Sequence, residues 1–240
     1  MNTFGLIGYP LEHSFSAEWF RKKFEREGIA AKYRNFPLQD LDEFGLLLER
    51  EHPLGLNVTH PHKERILSLL NEVDVEAAAI GAVNCIRIRN GKTTGYNTDV
   101  IGFERSLLPL QADPVPALVF GTGGASLAIT RVLKKHGFPF RLVSRNEIRD
   151  GLTYDELTRA VIEAHPLLIN TTPVGTWPDT EKTLPITYKW INPGHLCYDL
   201  VYNPEKSLFL RYAEAEGARI KNGLEMLEIQ AEESWKRFGV

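Results

Sequence analysis

The chain has 240 residues, of which 43% are hydrophobic and 25% are charged, and its formal net charge is −3. These proportions are typical of a soluble globular protein, and the small negative charge argues against nucleic acid or an anionic membrane as a bulk partner. At about 100–200 residues per domain, the length allows one large domain or two small ones. Any site for an anion must therefore be built locally.

The cysteines and the opening residues indicate the compartment. Cys85 and Cys197 both lie among apolar residues, and we expect them to be reduced core thiols. No Cys/His spacing fits a zinc motif, so no metal is expected. The first residues carry no basic leader, and no apolar run approaches the length of a transmembrane segment. A cytoplasmic protein is the expectation.

The first hundred residues alternate between predicted helices and strands. Ser16 is the predicted N-cap of an amphipathic helix that stops at Gly28. Asn90-Gly91 lies between two short segments of strand character and predicts a β-hairpin. The predicted strands are 4–8, 31–36, 54–59, 82–88 and 93–98, and the predicted helices are 16–27, 42–51, 62–73 and 100–108.

The composition changes at a proline-bearing connector, residues 110–116, and a domain boundary is expected near it. Beyond it, Thr153 and Glu156 have the spacing of a capping box for the next helix. The alternation continues, so the whole chain is predicted to be α/β with mainly parallel sheets. The predicted strands here are 116–121, 140–145, 167–172 and 195–202, and the predicted helices are 125–137, 207–217 and 224–238.

The segment GTGGAS (121–126) follows a buried strand and opens a helix. Glycines at such a turn let backbone N–H groups approach a pyrophosphate, and the helix N-terminus adds positive potential. Gly121 and Gly123 occupy the first two positions of a dinucleotide fingerprint, whereas Ser126 stands at the third. The pattern favours a Rossmann-like dinucleotide-binding domain, and a plain strand–helix turn is the alternative.

The end of the next strand indicates which dinucleotide is bound. A site for NAD places Asp or Glu there, but this strand is followed by Arg145 and Arg149. Guanidinium groups suit the 2′-phosphate of NADP because they bind phosphate through paired hydrogen bonds. NADP is therefore favoured over NAD, and two solvated loop arginines are the alternative.

Several polar side chains follow or interrupt the predicted strands of the first hundred residues. Because ligands of open α/β sheets bind beyond the carboxyl ends of strands, these side chains are expected to converge. Their hydroxyls, amides, one cation and one carboxylate suit a polyhydroxylated, anionic small molecule. The alternatives are ordinary helix caps, hairpin contacts and surface residues. The residues are Ser14, Ser16, Asn57, Thr59, Lys63, Asn84 and Asp99.

His60 and His62 flank Pro61 and have the spacing of a pair of metal ligands. With no third ligand indicated, we interpret them as structural or surface residues.

Eight motifs in chain order resemble those of the shikimate dehydrogenases, over almost the whole length of the chain. They are GYPLEHSFS (8–16), GLNVTHPHK (55–63), GAVN (81–84), GYNTDVIGF (95–103), GTGGAS (121–126), NTTPVG (170–175), DLVYNP (199–204) and NGLEMLEIQA (222–231). The resemblance implies a two-domain enzyme that reversibly reduces 3-dehydroshikimate to shikimate with NADPH. This reaction is a step of the shikimate pathway toward chorismate and the aromatic amino acids.

The resemblance also implies roles for single residues. Lys63 and Asp99 match the catalytic pair of the family. Substrate would be bound by Ser14, Ser16 and Tyr202 at its carboxylate and, at its ring hydroxyls, by Asn57, Thr59, Asn84, Asp99 and Gln230, beside Lys63. The implied cofactor-binding residues are Gly121, Gly123, Gly124, Ala125, Ser144, Arg145, Asn146, Arg149, Thr171, Val201, Gly223 and Met226.

The implied domains are a substrate-binding and catalytic domain and a Rossmann-like NADP-binding domain. The first spans residues 1–104 and is completed by a C-terminal helix at about 222–240, and the second spans 105–221. The expected oligomeric state is a monomer or a homodimer.

Three departures from the family pattern carry expectations of their own. Ala17 stands where the family usually has proline, so the start of the first helix should be looser. Ser144 and Asn146 replace the usual Asn and Thr, so selectivity for NADP over NAD should be weaker. The segment DGLTYDEL (150–157) stands in place of a full helix and trims the cofactor domain.

Two other functions remain open. A quinate/shikimate dehydrogenase would accept a ring with an additional hydroxyl and use NAD or NADP. A non-catalytic sensor would bind a dinucleotide or a shikimate-like ligand without turnover, but the retention of both Lys63 and Asp99 argues against it.

Overall fold

The computed structural model describes residues 1–11 and 14–239. The chain divides into two compact units. Unit 1 comprises Met1–Gly102 together with Glu228–Val240, and unit 2 comprises Phe103–Leu227. The C-terminal residues therefore return to the unit that the N-terminal residues build, and the connector at 110–116 lies inside unit 2.

The described residues form a mixed α/β structure. Its strands are β1 (Asn2–Gly8), β2 (Ala31–Pro37), β3 (Gly55–Val58), β4 (Glu72–Val73), β5 (Cys85–Arg89), β6 (Lys92–Tyr96), β7 (Ala117–Phe120), β8 (Phe140–Ser144), β9 (Leu152–Thr153), β10 (Leu167–Asn170), β11 (Leu196–Asp199) and β12 (Arg219–Lys221). Its α-helices are α1 (Phe15–Glu27), α2 (Phe44–Glu51), α3 (Val75–Ile80), α4 (Asp99–Leu107), α5 (Gly124–Lys135), α6 (Arg159–Glu163), α7 (Leu208–Ala215) and α8 (Leu224–Phe238).

The sheet of unit 1 has the strand order β2-β1-β3-β5-β6-β4. Strand β1 pairs in parallel with both β2 and β3, so the chain reverses its direction of travel across the sheet at β1. Strand β5 pairs antiparallel with β3 and with β6. The predicted hairpin between β5 and β6 is confirmed, and Asn90 and Gly91 both have positive φ, as a tight two-residue hairpin turn requires.

The sheet of unit 1 is buried on both faces. One face carries an aliphatic cluster around Ile7, Leu56 and Ile86. The other carries an aromatic cluster, in which rings from the sheet, from α1 and from α8 meet; its members are Phe4, Phe20, Phe24, Trp235 and Phe238. Helix α8 is thus anchored in unit 1 by its aromatic side chains.

Unit 2 is built on an all-parallel sheet with the order β12-β11-β10-β7-β8-β9. In chain order, β8 and β9 extend the sheet on one side of β7, and β10 then pairs with the other side of β7. This strand order is that of the doubly wound dinucleotide-binding fold, whose ligand site lies beyond the strand ends where the order reverses. The glycine turn at 121–124 follows β7, at that point.

The predicted helix at 62–73 is wrong. A 3₁₀ helix covers only Arg65–Leu69, and β4 follows at the edge of the sheet. Asn71 exchanges two hydrogen bonds with Thr93 of β6, at 3.0 and 2.8 Å, which draws the chain into the sheet. Tertiary pairing has overridden the local helical pattern.

Helix starts differ from the predictions in two places. Ser14, not Ser16, is the N-cap of α1, because the helix already begins at Phe15. The capping box of Thr153 and Glu156 is present, with Thr153 N donating to Glu156 Oε2 at 2.6 Å, but it caps a 3₁₀ turn (Tyr154–Glu156) rather than an α-helix. Residues 150–157, predicted to stand in place of a full helix, contain β9 and this 3₁₀ turn and no α-helix.

A buried carboxylate organises the loops of unit 2 that follow β10 and β11. Asp199 is fully buried and accepts hydrogen bonds from Asn170 Nδ2 at 2.9 Å, from Val201 N at 3.0 Å and from the Ser207 hydroxyl. Burial raises the pKa of Asp199 from its ordinary 3.8 to about 6, although these three hydrogen bonds partly offset the rise.

Asp199→Asn should remove a pH-dependent part of the stability. Between about pH 4 and pH 6 the native state holds a proton on Asp199 that the unfolded chain releases, so this residue makes the protein less stable as the pH rises. The difference in unfolding free energy between variant and wild type should therefore change by up to about 3 kcal/mol between pH 4 and pH 7. Urea unfolding of both proteins across this range measures it, and parallel stability curves would contradict it.

Gly55→Ala should destabilise unit 1. A Cβ at Gly55 would lie 2.2 Å from Cδ1 of Phe238, whose ring is fixed within the aromatic cluster. We expect a loss of about 1–3 kcal/mol of unfolding free energy, measured by urea denaturation. Gly45→Ala is the matched control: Gly45 lies exposed in α2 with no atom within 4 Å of its Cβ position, so alanine should stabilise the helix slightly. Equal effects of the two substitutions would refute the packing argument.

Candidate active site

An ion pair lies at the centre of the predicted polar cluster of unit 1. Lys63 Nζ donates to Asp99 Oδ2 at 2.6 Å, although the two residues are 36 positions apart in sequence. Their side chains are only 18% and 8% exposed. Asn84 Nδ2 donates to the other carboxylate oxygen of Asp99 at 2.8 Å, so both oxygens are held. The pair combines a proton donor with a fixed counter-charge.

Backbone hydrogen bonds between loops bring these residues together. Val83 N donates to Lys63 O at 2.8 Å, which joins the loop after β3 to the segment before β5. Thr59 N donates to Ile7 O at 2.9 Å, which joins the ends of β3 and β1. Gly8 allows this approach, because a Cβ there would lie 2.3 Å from Thr59 Cγ2. The site therefore lies at the carboxyl ends of β1 and β3, where the strand order reverses.

Asn84 connects the ion pair to the hairpin and to α8. Its Oδ1 accepts from Thr98 N at 2.7 Å, and its Nδ2 donates to Thr98 Oγ1 at 3.0 Å. Gln230 Oε1 of α8 lies 3.3 Å from the same Nδ2. Asn84 is thus more than a hairpin residue. Asn97, in contrast, donates to Ala82 O at 3.0 Å and has a structural role in this turn.

Asn57 is held by two residues that sequence reasoning missed. Tyr33 of β2 donates its hydroxyl to Asn57 Oδ1 at 2.9 Å. Asn57 Nδ2 donates to Ser234 Oγ of α8 at 2.8 Å and to Asn84 O at 3.2 Å. Burial raises the pKa of Tyr33 well above its ordinary value of 10, against a lowering by Ser16, so Tyr33 stays a hydroxyl donor.

The position of Ser234 at the site could have been predicted from the sequence, whereas that of Tyr33 could not. Ser234 follows Gln230 by four positions, a spacing that places both on one face of α8. Ser234 is fully buried, and its Oγ lies 3.0 Å from Thr98 Oγ1. Tyr33 lies on the edge strand, and nothing in its neighbourhood in sequence indicates that its ring reaches Asn57.

The remaining predicted substrate residues lie near the ends of these elements. Ser14 lies at the N-cap position of α1 without a capping hydrogen bond, and its buried Oγ has no hydrogen-bond partner among the described residues. Ser16 lies in the first turn of α1, and Thr59 directly follows β3; both are half-buried. Tyr202 follows β11 in unit 2 and is half-buried. The structure therefore joins Asn57, Lys63, Asn84, Asp99 and Gln230 into one network.

The predicted cofactor turn has backbone that requires glycine at its first position. Gly121 has φ of +111°, and a Cβ there would lie 2.6 Å from Thr171 Oγ1. Thr171 is itself tied to β7, because its N and Oγ1 both donate to Phe120 O, at 2.9 and 2.7 Å. Helix α5 starts directly after Gly123, so its N-terminal N–H groups face the turn.

Ser126 fits the third fingerprint position. It is buried, and its hydroxyl donates to Gly123 O at 2.8 Å within the first turn of α5. The hydroxyl is therefore satisfied inside the helix, and the small side chain still allows α5 to pack closely on the sheet.

The residues after β8 carry exposed positive charge. Arg145 is exposed, and the Arg149 side chain is 96% exposed, with Nε 3.6 Å from Asp150 Oδ2. Asn146 N donates to Ser144 Oγ at 3.3 Å, so the turn is partly ordered by its own side chain. Exposure fits both a phosphate-binding pair and two solvated loop arginines.

A second glycine with a close contact lies before α8. A Cβ at Gly223 would lie 2.1 Å from Leu200 O, and Gly223 N donates to Val201 O at 3.1 Å. Val201, which accepts this hydrogen bond, is buried, and so is Met226, which lies three positions after Gly223. These residues, Gly124 and Ala125 all belong to unit 2, together with the cofactor turn.

Of the two histidines that flank Pro61 and the two cysteines, three are buried and one is exposed. His62 is fully buried with Nε2 2.7 Å from Leu38 O, and His60 is exposed. Cys85 and Cys197 are free and buried, as predicted, and burial raises the pKa of each thiol to about 12. Within residues 1–11 and 14–239 no group of three His, Cys, Asp or Glu side chains could hold a metal ion. Over the same residues, no helix is both long and apolar enough to cross a membrane.

Comparison with known proteins identifies the family. A family profile described as "Shikimate dehydrogenase substrate binding domain" matches residues 6–86. The shikimate dehydrogenase (NADP(+)) of Methanococcus maripaludis is 36% identical over 251 residues, which cover 97% of this chain and 89% of the relative.

Solved structures agree. A shikimate dehydrogenase from Aquifex aeolicus superimposes with a TM-score of 0.89 at 32% identity, covering 99% of this chain and 92% of that one. A quinate dehydrogenase from Corynebacterium glutamicum in complex with NAD reaches 0.87 at 28% identity, covering 100% and 94%. The match in sequence and in fold runs through both units, and the chain belongs to the shikimate dehydrogenase family.

Proposed function

We propose that the protein catalyses the reversible, NADP-dependent reduction of 3-dehydroshikimate to shikimate. The observation that carries the proposal is the Lys63–Asp99 ion pair, 2.6 Å long and mostly buried, at the strand ends of unit 1 in a member of this family. The reaction belongs to the shikimate pathway, toward chorismate and the aromatic amino acids.

Lys63 supplies the proton chemistry. When bound, NADPH supplies the hydride for the ring ketone. The Lys63 ammonium stabilises the negative charge that develops on the ketone oxygen and donates a proton to it. In the oxidative direction a neutral Lys63 accepts the hydroxyl proton. Asp99 holds the Lys63 amine in place, and Asn84 holds Asp99 through its second carboxylate oxygen.

Substrate recognition rests on the network around this pair. Hydrogen bonds with Tyr33 and Ser234 set the orientation of the Asn57 side chain. Its amide oxygen is an acceptor for a hydrogen bond that a ring hydroxyl of the substrate donates. Thr59, Asn84 and Gln230 complete the groups for the ring hydroxyls. Ser14 and Ser16 bind the substrate carboxylate; the buried Ser14 hydroxyl with no partner among the described residues supports this role. Tyr202 is a further substrate residue of the proposal, on the family resemblance alone.

Unit 2 is the NADP-binding domain of the proposal, and unit 1 is the substrate-binding and catalytic domain. The Gly121 turn and the N-terminus of α5 fit a pyrophosphate, because a side chain at Gly121 has no room and the helix presents N–H groups there. Arg145 and Arg149 bind the 2′-phosphate, with Ser144 and Asn146 beside them. The remaining cofactor contacts come from Gly123, Gly124, Ala125, Thr171, Val201, Gly223 and Met226.

The free, buried thiols of Cys85 and Cys197 support action in a reducing compartment, and we propose the cytoplasm. The proposed active species is a monomer or a homodimer. Light scattering of the purified protein distinguishes the two.

Quinate/shikimate dehydrogenase activity is the second candidate, because the quinate dehydrogenase of Corynebacterium glutamicum was solved with NAD and shares this fold. An arginine rather than an acidic residue directly follows β8, which favours NADP and therefore the first candidate. A sensor without turnover would have no use for a held Lys63–Asp99 pair.

Steady-state rates with shikimate and quinate, each with NADP and NAD, test the proposed function. Absorbance at the nicotinamide band should rise with shikimate and NADP. We expect kcat/KM for this pair to exceed that of each other combination by at least about tenfold, or roughly 1.4 kcal/mol of transition-state binding. Higher activity with quinate and NAD would establish the second candidate, and no hydride transfer with any pair would establish the sensor.

Lys63→Ala should lower kcat for shikimate oxidation by about 10²–10⁴-fold, because it removes the proton-transfer group. Shikimate affinity, measured by calorimetry, should change much less. Lys92→Ala is the matched control, since Lys92 is an exposed lysine of β6 in the same unit. A Lys63→Ala variant that keeps wild-type kcat would remove Lys63 from the mechanism.

A further inference from the structure

A buried lysine outside the ion pair holds α8, the helix that supplies Gln230 and Ser234. Lys23 of α1 is 4% exposed and is the only buried lysine or arginine among the described residues. Its Nζ donates to Glu27 Oε1 at 2.8 Å and to both carboxylate oxygens of Glu232, at 3.1 and 2.9 Å. Glu27 lies on the same helix as Lys23, whereas Glu232 lies on α8.

Two indole rings flank the same ammonium. Lys23 Nζ lies 5.7 Å from the centroid of Trp19 and 6.0 Å from that of Trp235. One ring belongs to α1 and the other to α8, so the cation is attracted to both helices by its ion pairs and by the ring faces. A buried cation of this kind is retained only with such partners, because its desolvation is costly.

Glu232 lies between the two α8 residues that reach the site. Gln230 and Ser234 are four positions apart and share one face of the helix, from which they contact Asn84, Thr98 and Asn57. Glu232, two positions from each, points to the opposite face. Lys23 therefore contacts the face of α8 opposite to the one that carries Gln230 and Ser234. A rotation of the helix that withdraws these two residues from the site would break the contact between Lys23 and Glu232.

Two other sets of contacts hold α8 farther along the helix from Gln230. Trp235 and Phe238 pack in the aromatic cluster, more than one turn beyond Gln230. Arg89 donates to Phe238 O and Gly239 O at the far end of the helix, about two turns beyond Gln230. The Lys23–Glu232 pair joins α8 to α1 only two positions from Gln230.

We propose that Lys23 is a positioning residue for the substrate site, acting through Glu232 to set the rotation of α8 and hence the placement of Gln230 and Ser234. The inference rests on the proposed function, since Gln230 and Ser234 matter only if unit 1 binds the cyclic hydroxy acid. It predicts an effect on substrate binding that is separate from the contribution of Lys23 to stability.

Two single substitutions separate these effects, because each removes one carboxylate from the same ammonium. Glu232→Gln weakens the contact between α1 and α8, whereas Glu27→Gln weakens only the contact within α1. Glu232→Gln should raise KM and Kd for shikimate about three- to tenfold, with KM for NADP and kcat changed less than about twofold. Glu27→Gln should leave all three constants within about twofold of wild type. Thermal unfolding of both variants shows how far each loses stability.

A double-mutant cycle completes the test. Lys23→Met should raise KM for shikimate as Glu232→Gln does, and the two together should cost no more than Lys23→Met alone. Lys23→Met with Glu27→Gln should likewise equal Lys23→Met. If both glutamine variants shift KM equally, if neither does, or if Lys23→Met and Glu232→Gln fail to fold, Lys23 is a stability residue and the proposal is overturned.

Failure of the proposed function is visible separately. If the wild type does not turn over shikimate with NADP, that function falls, and the positioning role is judged on the shikimate Kd from calorimetry by the same pattern. If the wild type does not bind shikimate at all, the positioning role falls too.

Discussion

The site in unit 1 depends on a lysine ammonium and an aspartate carboxylate that are held together, mostly out of water. Taking Lys63 and Asp99 out of solvent carries a desolvation cost that their attraction offsets only with good geometry and satisfied hydrogen bonds. The structure meets both conditions: the pair is 2.6 Å long, and Asn84 occupies the second carboxylate oxygen of Asp99. A proton donor whose position is set before substrate arrives need not be reorganised during reaction.

This pair can form only because three separate stretches of chain meet at the same end of the sheet. Lys63 follows β3, Asn84 precedes β5, and Asp99 starts α4. The parallel pairing of β1 with β3 and the antiparallel return through β5 and β6 bring the three loops to the same end of the sheet. Helix α8 then returns from the far end of the chain and adds Gln230 and Ser234 to the network. The split composition of unit 1 is therefore a requirement of its site.

Much of this was predictable where the signal is local. The Asn90-Gly91 turn, the stop of α1 at Gly28 and the capping box at Thr153 depend on neighbours within four residues, and the structure has all three. The motif resemblance supplied the pairing of Lys63 with Asp99, which no spacing along the chain reveals. The predicted helix at 62–73 failed because Asn71 bonds to Thr93, a partner 22 residues away. The contacts of Tyr33 and Lys23 were not predicted for the same reason, because their partners Asn57 and Glu232 are distant in sequence.

The shortened connection between β8 and β9 bears on cofactor choice in a physical way. Arg145 and Arg149 lie on a helix-free segment, closed by a turn in which Gly151 N donates to Ile148 O at 3.2 Å. A Cβ at Gly151 would lie 2.3 Å from Ile148 Cγ1, so the turn is compact, but both guanidiniums extend into solvent. Ordering each exposed arginine on a phosphate costs up to about 2 kcal/mol of side-chain entropy, which reduces the gain from its hydrogen bonds. A longer crossover with its own helix would hold the arginines by packing. If Arg145 and Arg149 bind the 2′-phosphate and the Gly121 turn binds the pyrophosphate, as proposed, the trimmed loop should lower the discrimination between NADP and NAD, because both cofactors share the pyrophosphate.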